Sequence, residues 1–301
     1  MGLSAYDALH RPIVGAIRRD VQSVTGWAQP LAASTLSSVL IPYLNWAERI
    51  PTRRPRRVHC SDQLRASAAT LSPRQSAALE SIVHDIRIGA DLLPYLSTKV
   101  GRFGAVSHPH TPLQHRDELD VMLFGWGVHH LHLHTRPRSR GSRFVRRTDE
   151  LLLAMFRGAD CYLLMIADSH DDGFGNVDVL RIAVRQWPEA KLLERARTIV
   201  GLPESPTDRD LVELRDNGVT TLVEIDHNVY LPRGITTAGT SLTATARADR
   251  LLHWLQSRPL HDLLEPSRQG AHTVDLQRLR VAAHRGRLWL RLDPSRRVQL
   301  L

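Results

Sequence analysis

Two apolar runs, Leu151–Phe156 and Cys161–Ala167, stand on either side of Arg157-Gly158-Ala159-Asp160. Short apolar runs separated by a four-residue, glycine-containing gap read as a β-hairpin. Ahead of them, Val128-His129-His130-Leu131-His132-Leu133-His134 reads as a further strand. After them, Leu180, Ala183, Val184 and Trp187 mark a helix that Pro188 stops. The central segment is therefore strand, basic loop, hairpin, helix.

The flanks carry different signals. Leu9, Ile13, Ile17 and Val21 recur every four residues and predict an N-terminal amphipathic helix. Ile50–Arg57, with Pro51, Pro55 and two Arg-Arg pairs, reads as an exposed basic connector. Ser72 can cap the next helix, Pro73 suits its first turn, and Leu79, Ile82, Val83, Ile86 and Leu93 form its apolar stripe. Beyond the centre, Glu189–Val200 is expected to be helical. Thr207 with Asp210 opens a short helix that Gly218 can end. Thr221–Ile225 and Val229–Leu231 form a second hairpin around Asp226-His227-Asn228. Ala248, Leu251, Leu252 and Leu255 mark a last helix, and Arg287–Arg291 a short closing strand.

The expected fold class is α+β. A helical N-terminal region (1–119) leads to a small, mostly antiparallel sheet with flanking helices (120–200), and a mixed C-terminal extension (201–301) packs on that core. The 301 residues, 42% hydrophobic, suffice for one large core or two modest ones. The longest membrane candidate, Leu36–Leu44, is interrupted by Pro42, and Asp7, His10 and Arg11 stand where a signal peptide needs apolar residues. Only Cys60 and Cys161 are present, with no CxxC partner, which predicts reduced thiols in a cytoplasmic protein with no membrane association.

The histidines carry the chemistry of the reading. Alternate strand side chains share a face, so His130, His132 and His134 are expected together, with His129, Leu131 and Leu133 opposite. His130 and His132 lie roughly 7 Å apart at Cα, and His134 roughly 13 Å from His130. That spacing suits acid–base catalysis, because imidazole titrates near neutrality. It also suits a divalent transition metal on His130 and His132, with His170 or Asp168 completing the set. His129 is the remaining imidazole of the strand. It is retained as a catalytic candidate, although it reads equally as a satisfied core residue.

A net charge of +9 raises the prospect of a polyanionic partner, but all basic residues except Lys99 and Lys191 are arginine, as biased codon usage would produce. Clustering therefore matters more than the total. Arg136, Arg138, Arg140, Arg143, Arg146 and Arg147 occur within Thr135–Arg147, which lacks any acidic residue. A charge run of this kind is usually a solvated or mobile loop, but here it joins the histidine strand to the hairpin.

The stretch Arg147-Thr148-Asp149-Glu150-Leu151-Leu152-Leu153-Ala154-Met155-Phe156, followed by Cys161-Tyr162-Leu163-Leu164-Met165-Ile166-Ala167-Asp168-Ser169-His170, resembles the late hairpin of RelE/ParE-type toxins, within the barnase-like ribonuclease group. The similarity spans residues 125–190. It implies metal-independent endoribonuclease activity, a role as a toxin or anti-phage effector, and an antitoxin or other inhibitory partner. On that reading His130 and His132 are base and acid in either order, with His170 next. Arg147 and Arg146 clamp the phosphate, and Arg136, Arg138, Arg140 and Arg143 bind RNA. Two alternatives stay open: a metal-dependent enzyme using His130 and His132, and a non-catalytic nucleic-acid-binding or regulatory protein. Gly234–Ser241 lacks the lysine of a phosphate-binding loop and reads as a capped surface loop. His227 reads as an exposed turn residue, and Cys161 as core rather than nucleophile.

Overall fold

The computed structural model describes residues 4–25, 35–100, 120–168, 177–258 apart from 205, 218 and 220, 280–293 and 296–301. In chain order its elements are α1 (Ala5–Thr25), α2 (Ser37–Glu48), β1 (Arg57–Cys60), α3 (Asp62–Ala68), α4 (Pro73–Ile88), α5 (Val121–Trp126), β2 (Val128–His132), β3 (Leu151–Arg157) and β4 (Asp160–Ala167). There follow α6 (Asp178–Gln186), β5 (Glu194–Arg195), α7 (Asp208–Asp216), β6 (Val223–Ile225), β7 (Asn228–Leu231), α8 (Leu242–Gln256), β8 (Arg280–His284), β9 (Arg287–Asp293) and β10 (Arg296–Gln299). The fold class is mixed α+β, as the sequence predicts. Among the described residues no helix is long and apolar enough to cross a membrane. The apolar stretch around Pro42 is the helix α2, which runs through the proline to Glu48.

Packing divides the chain into two units that cut across the three consecutive regions expected from sequence. One comprises residues 1–48, 101–108 and 243–301, and the other 49–100 and 109–242. Distant chain ends thus share one unit, a pairing that local periodicity has no means of announcing.

In the first unit, Leu9, Ile13, Ile17 and Val21 of α1 are all fully buried, as their four-residue spacing requires. The antiparallel strands β8, β9 and β10 form a meander, and β8 packs on α1. The β8–β9 turn is Arg285-Gly286, both residues at positive φ. A Cβ on Gly286 would lie 2.8 Å from the Ala47 Cβ, so the turn can approach α2 only without a side chain there. Asp20, buried on α1, fastens it. The Asp20 carboxylate accepts hydrogen bonds from the Tyr43 hydroxyl (2.7 Å) and the Arg285 backbone N–H (2.6 Å), while Tyr43 Oη accepts from the Gly286 N–H (2.9 Å). Burial, and then the Asp20 charge, push the Tyr43 phenol far above its ordinary pKa, so it remains the donor.

The second unit is built on a four-stranded sheet in the order β1-β4-β3-β2, with β1 parallel to β4 and the other pairs antiparallel. The predicted hairpin is β3–β4, closed by Gly158-Ala159 alone because Arg157 and Asp160 already pair. On one sheet face Val128, Leu151, Leu153, Met155, Tyr162 and Leu164 pack with Val179, Leu180 and Ala183 of α6. A bulge between Leu153 and Ala154 leaves Leu164 extra in β4. The Ser61 hydroxyl, which caps α3, donates to the Leu164 carbonyl and so ties α3 to the bulge. The helix α4 starts with the Ser72–Gln75 capping box and ends at left-handed Gly89, five residues ahead of Pro94. Leu93 lies in a separate 3-10 turn, Leu93–Tyr95.

Two expectations fail in this unit. Glu189–Val200 is not helical. Pro188 supports only the 3-10 turn Pro188–Ala190, Lys191 takes a left-handed φ of 47°, and Leu192 and Leu193 go into the core ahead of β5. The connector 50–57 is not wholly exposed either. Arg56 is buried with its guanidinium 5.0 Å from the Phe156 ring, and Arg57 opens β1. The second hairpin is present as β6–β7, with Asp226 and His227 both at positive φ, as a two-residue turn requires. Thr207 and Asp210 exchange hydrogen bonds at the start of α7, while Gly218 falls outside the described residues.

Replacing Asp20 with alanine leaves the Tyr43 hydroxyl and the Arg285 N–H without their acceptor. Chemical denaturation is expected to show a loss of about 3 kcal/mol. Tyr43→Phe should cost about 1–2 kcal/mol, and a neutral effect of both substitutions would contradict this role.

Candidate functional site

The histidine strand is real but shorter than expected, and its histidines do different things. Pairing of β2 with β3 sets His129 opposite Ala154, His130 opposite Leu153 and His132 opposite Leu151. His130 and His132 therefore share the face of Val128, while His129 points the other way. The strand ends at His132. The His134 N–H turns back to the His132 carbonyl (2.9 Å), so His134 leaves the sheet and does not extend the shared face.

His129 is buried edge-on to Phe156, with ring centroids 5.1 Å apart. Burial pushes its pKa down to about 3; the Asp120 carboxylate works against that, and the charges of His130, Arg233 and Arg56 add to it. Its imidazole is neutral at ordinary pH, which is the behaviour of a core residue and not of a proton carrier at neutrality.

His130 has a carboxylate partner that sequence reasoning missed. Asp120 caps α5, accepting the Leu123 N–H at 2.9 Å. The six-residue helix ends at left-handed Gly127, where a Cβ would run into the Arg233 guanidinium, and β2 starts at the next residue. This tight helix–strand corner brings Asp120 Oδ2 to 3.6 Å from His130 Nδ1. Burial works to raise the Asp120 carboxyl, but the His130 ring, the Leu123 N–H and the Arg49 charge outweigh it and hold the carboxyl below its usual range. The signal available in the sequence was an N-cap aspartate ahead of a short apolar run and a glycine.

His132 and His134 are both fixed as backbone acceptors. Thr148 N–H donates to His132 Nδ1 (3.3 Å), and Arg136 N–H to His134 Nδ1 (2.8 Å). A neutral imidazole accepting at Nδ1 carries its proton on Nε2, so both rings present an N–H there. The Thr148 hydroxyl adds to the clasp, accepting the Leu133 N–H (3.2 Å) and donating to the Glu150 carbonyl (2.7 Å). His134 is only 1% exposed, and its Nε2, itself covered from solvent, has no hydrogen-bond partner among the described residues. Leaving such a group unpaired costs about 1–3 kcal/mol. Burial, then the charges of Arg74, Arg146 and Arg136, lower its pKa.

The basic loop is folded. Arg138 N–H donates to the Phe144 carbonyl (2.8 Å), Arg146 N–H to the Arg136 carbonyl (3.0 Å), and Pro137 bridges Val145. Buried Val145 anchors the loop, its N–H bonded to the Pro94 carbonyl (2.9 Å). Arg136, Arg138, Arg140, Arg143, Arg146 and Arg147 are all exposed on this frame. Arg136 and Arg146 are thus held side by side, where like charges repel. Arg147 follows directly, at the sheet end that also carries His132 and the C-terminal end of β4. Exposed Asp168 stands at that same end, two strand spacings or roughly 10 Å across from β2. His170 lies outside the described residues. Among the described residues no group of three or more His, Cys, Asp or Glu is gathered closely enough to hold a metal ion. Cys161 is fully buried, and burial pushes its thiol up, as befits a core residue.

The His129 account has a pH signature. Its folded-state pKa lies below the unfolded value of about 6.5, so the unfolded chain binds the extra proton between the two. Stability is then complete above about pH 6.5 and declines towards about pH 3, at up to roughly 1.4 kcal/mol per pH unit. Denaturation at pH 7 and pH 4 should show a larger loss for wild type than for His129→Leu. A His129 ring that titrates near pH 6.5 by NMR would contradict it.

The chain matches no protein-family model, and no curated protein or solved structure is similar to it.

Proposed function

We propose that this protein binds RNA through the folded arginine loop. The observation that carries the reading is the Arg136–Arg146 pair, fixed together by a backbone hydrogen bond in a loop without acidic residues. Two arginines projecting from paired backbone positions stabilise nothing by themselves, whereas a phosphodiester drawn between their guanidiniums relieves their repulsion and accepts from both forks. Arg138, Arg140, Arg143 and Arg147 extend the cationic track on the same frame. A cytoplasmic setting goes with this reading, since Cys60 and Cys161 are free thiols.

The test is the salt dependence of binding to single-stranded RNA. Neutralising each phosphate contact contributes about 0.7 to the slope of log K against log salt. The double substitution Arg136→Gln with Arg146→Gln is expected to weaken binding at least about 10-fold and reduce the slope by about 1.4. Unchanged affinity and slope would count against the loop as the binding surface.

A second reading, metal-independent endoribonuclease activity, is favoured by the Asp120–His130 pair. In that mechanism Asp120 orients His130 with a proton on Nδ1, and Nε2, which is covered from solvent, takes the proton of a ribose 2′-hydroxyl once substrate binding uncovers it. The 3.6 Å separation is longer than a working hydrogen bond, as such contacts often are before substrate binds. The 2′-oxygen attacks phosphorus, a cyclic phosphate forms, and the 5′-oxygen leaves with a proton from solvent. His132 serves as an N–H donor to a phosphate oxygen, because protonating Nδ1 would remove the acceptor of Thr148. The same commitment of the His132 lone pair disfavours a shared metal on His130 and His132. A toxin or anti-phage role with a neutralising partner rests on the resemblance to RelE/ParE-type toxins alone. His130→Ala is expected to lower cleavage about 100-fold or more while RNA still binds. Equal cleavage by His130→Ala and wild type would eliminate the catalytic proposal.

A further inference from the structure

We propose that His134 Nε2–H, together with Arg74, Arg136 and Arg146, forms a phosphate-binding subsite beside the loop. The inference rests on the RNA-binding reading for its biological ligand and on separate observations for its chemistry. His134 is buried to 1% exposure and is held by the Arg136 N–H on Nδ1, so its other nitrogen is a donor whose partner is missing among the described residues. The arginines come to this ring by geometry: Arg136 gives it a backbone N–H, Arg146 pairs with Arg136 across the loop, and Gln75, next to Arg74, reaches Glu150 beside the Thr148 clasp.

Arg74 supplies the second line of argument. It occupies the first turn of the 16-residue helix α4, which has no acidic residue there. The N-terminal end of a helix carries partial positive charge and favours anions, so an arginine at this place adds cation to cation. The Ser72–Gln75 capping box occupies the cap and N3 amides, and Pro73 has no N–H, which leaves the Arg74 N–H of the first turn outside the capping box. Arg74, Arg136 and Arg146 are all exposed around the covered ring. A tetrahedral oxyanion supplies what this cluster lacks: acceptor oxygens for one imidazole N–H and several guanidinium N–H groups, and negative charge to offset three cations. Two carboxylates lie close by in sequence: Asp149 is exposed, and Glu150 accepts a hydrogen bond from Gln75 Nε2 (3.0 Å).

Two substitutions separate the donor from the scaffold. His134→Asn keeps an acceptor at the Nδ1 position for the Arg136 N–H and removes the Nε2 donor. Arg74→Gln alters the helix side of the cluster without touching the loop. The probes are inorganic phosphate and one RNA oligonucleotide prepared with either a 5′-phosphate or a 5′-hydroxyl. Readouts are titration calorimetry and the ring-nitrogen NMR signal of His134.

Inorganic phosphate is expected to shift the His134 Nε2 signal, and affinity should fall at least about 10-fold in both variants while their thermal midpoints stay near wild type. A greater response to the 5′-phosphorylated oligonucleotide assigns the subsite to a terminal phosphate, and equal responses assign it to the backbone diester. Phosphate and both oligonucleotides leaving the His134 signal unmoved, or His134→Asn binding as wild type does, would overturn the subsite. Should RNA binding persist with its dependence on Arg136 and Arg146 in that case, the broader reading survives without it. Should phosphate bind at His134 while RNA does not bind at all, the subsite stands and the RNA reading falls.

Discussion

The pairing of β2 with β3 is the constraint on which the rest of this unit depends. Its register decides that His129 enters the apolar layer with Phe156 while His130 faces Asp120 on the opposite side. A slip of one residue would exchange those two environments. The same ladder ends at His132, where Thr148 closes it, and that ending launches the arginine loop. Backbone hydrogen bonds thus determine where every side chain of the candidate site stands, before any charge is considered.

Electrostatics then sorts the four histidines into distinct roles. His129 is neutral because its surroundings are apolar and the nearby arginines oppose a further positive charge. His130 lies beside the Asp120 carboxylate, 3.6 Å from Nδ1 to Oδ2. His132 and His134 are both buried, and each accepts a backbone N–H at Nδ1, which puts the ring proton on Nε2. Under the proposed readings the two backbone-bonded rings donate to phosphate oxygens, and the ring beside Asp120 takes up a proton. The loop arginines are placed by a hairpin-like frame anchored on Val145 and Pro94, which lowers the ordering cost of meeting a ligand.

Much of the fold was legible because its signals were local. The stripe of α1, the Ser72 cap, the β3–β4 hairpin and the two-residue turn at Asp226-His227 each follow from patterns a few residues long. What escaped was set by distant partners. Strand β1 is four residues, Arg57–Cys60, with no apolar pattern of its own, and exists because β4 offers it a parallel edge. Leu192 and Leu193 looked like part of a helix because apolar pairs do, but the core takes them in an extended segment. In the candidate site, the clustering of histidines and arginines was visible in the chain, and the shared face of His130 and His132 followed from strand period. The approach of Asp120 to His130, the place of Arg74 and the departure of His134 from the strand escaped, since each depends on a turn or helix end that brings separate segments together, although Asp120 carried the local signal of a helix cap.

Arginine abundance alone would give this chain a diffuse affinity for polyanions, so the central claim is one of location. Photocrosslinking of bound single-stranded RNA, with the linked peptides identified by mass spectrometry, tests it most directly. The account predicts crosslinks concentrated on residues 134–147 and around Arg74. Crosslinks spread over exposed arginines throughout the chain, with no preference for that loop, would contradict it.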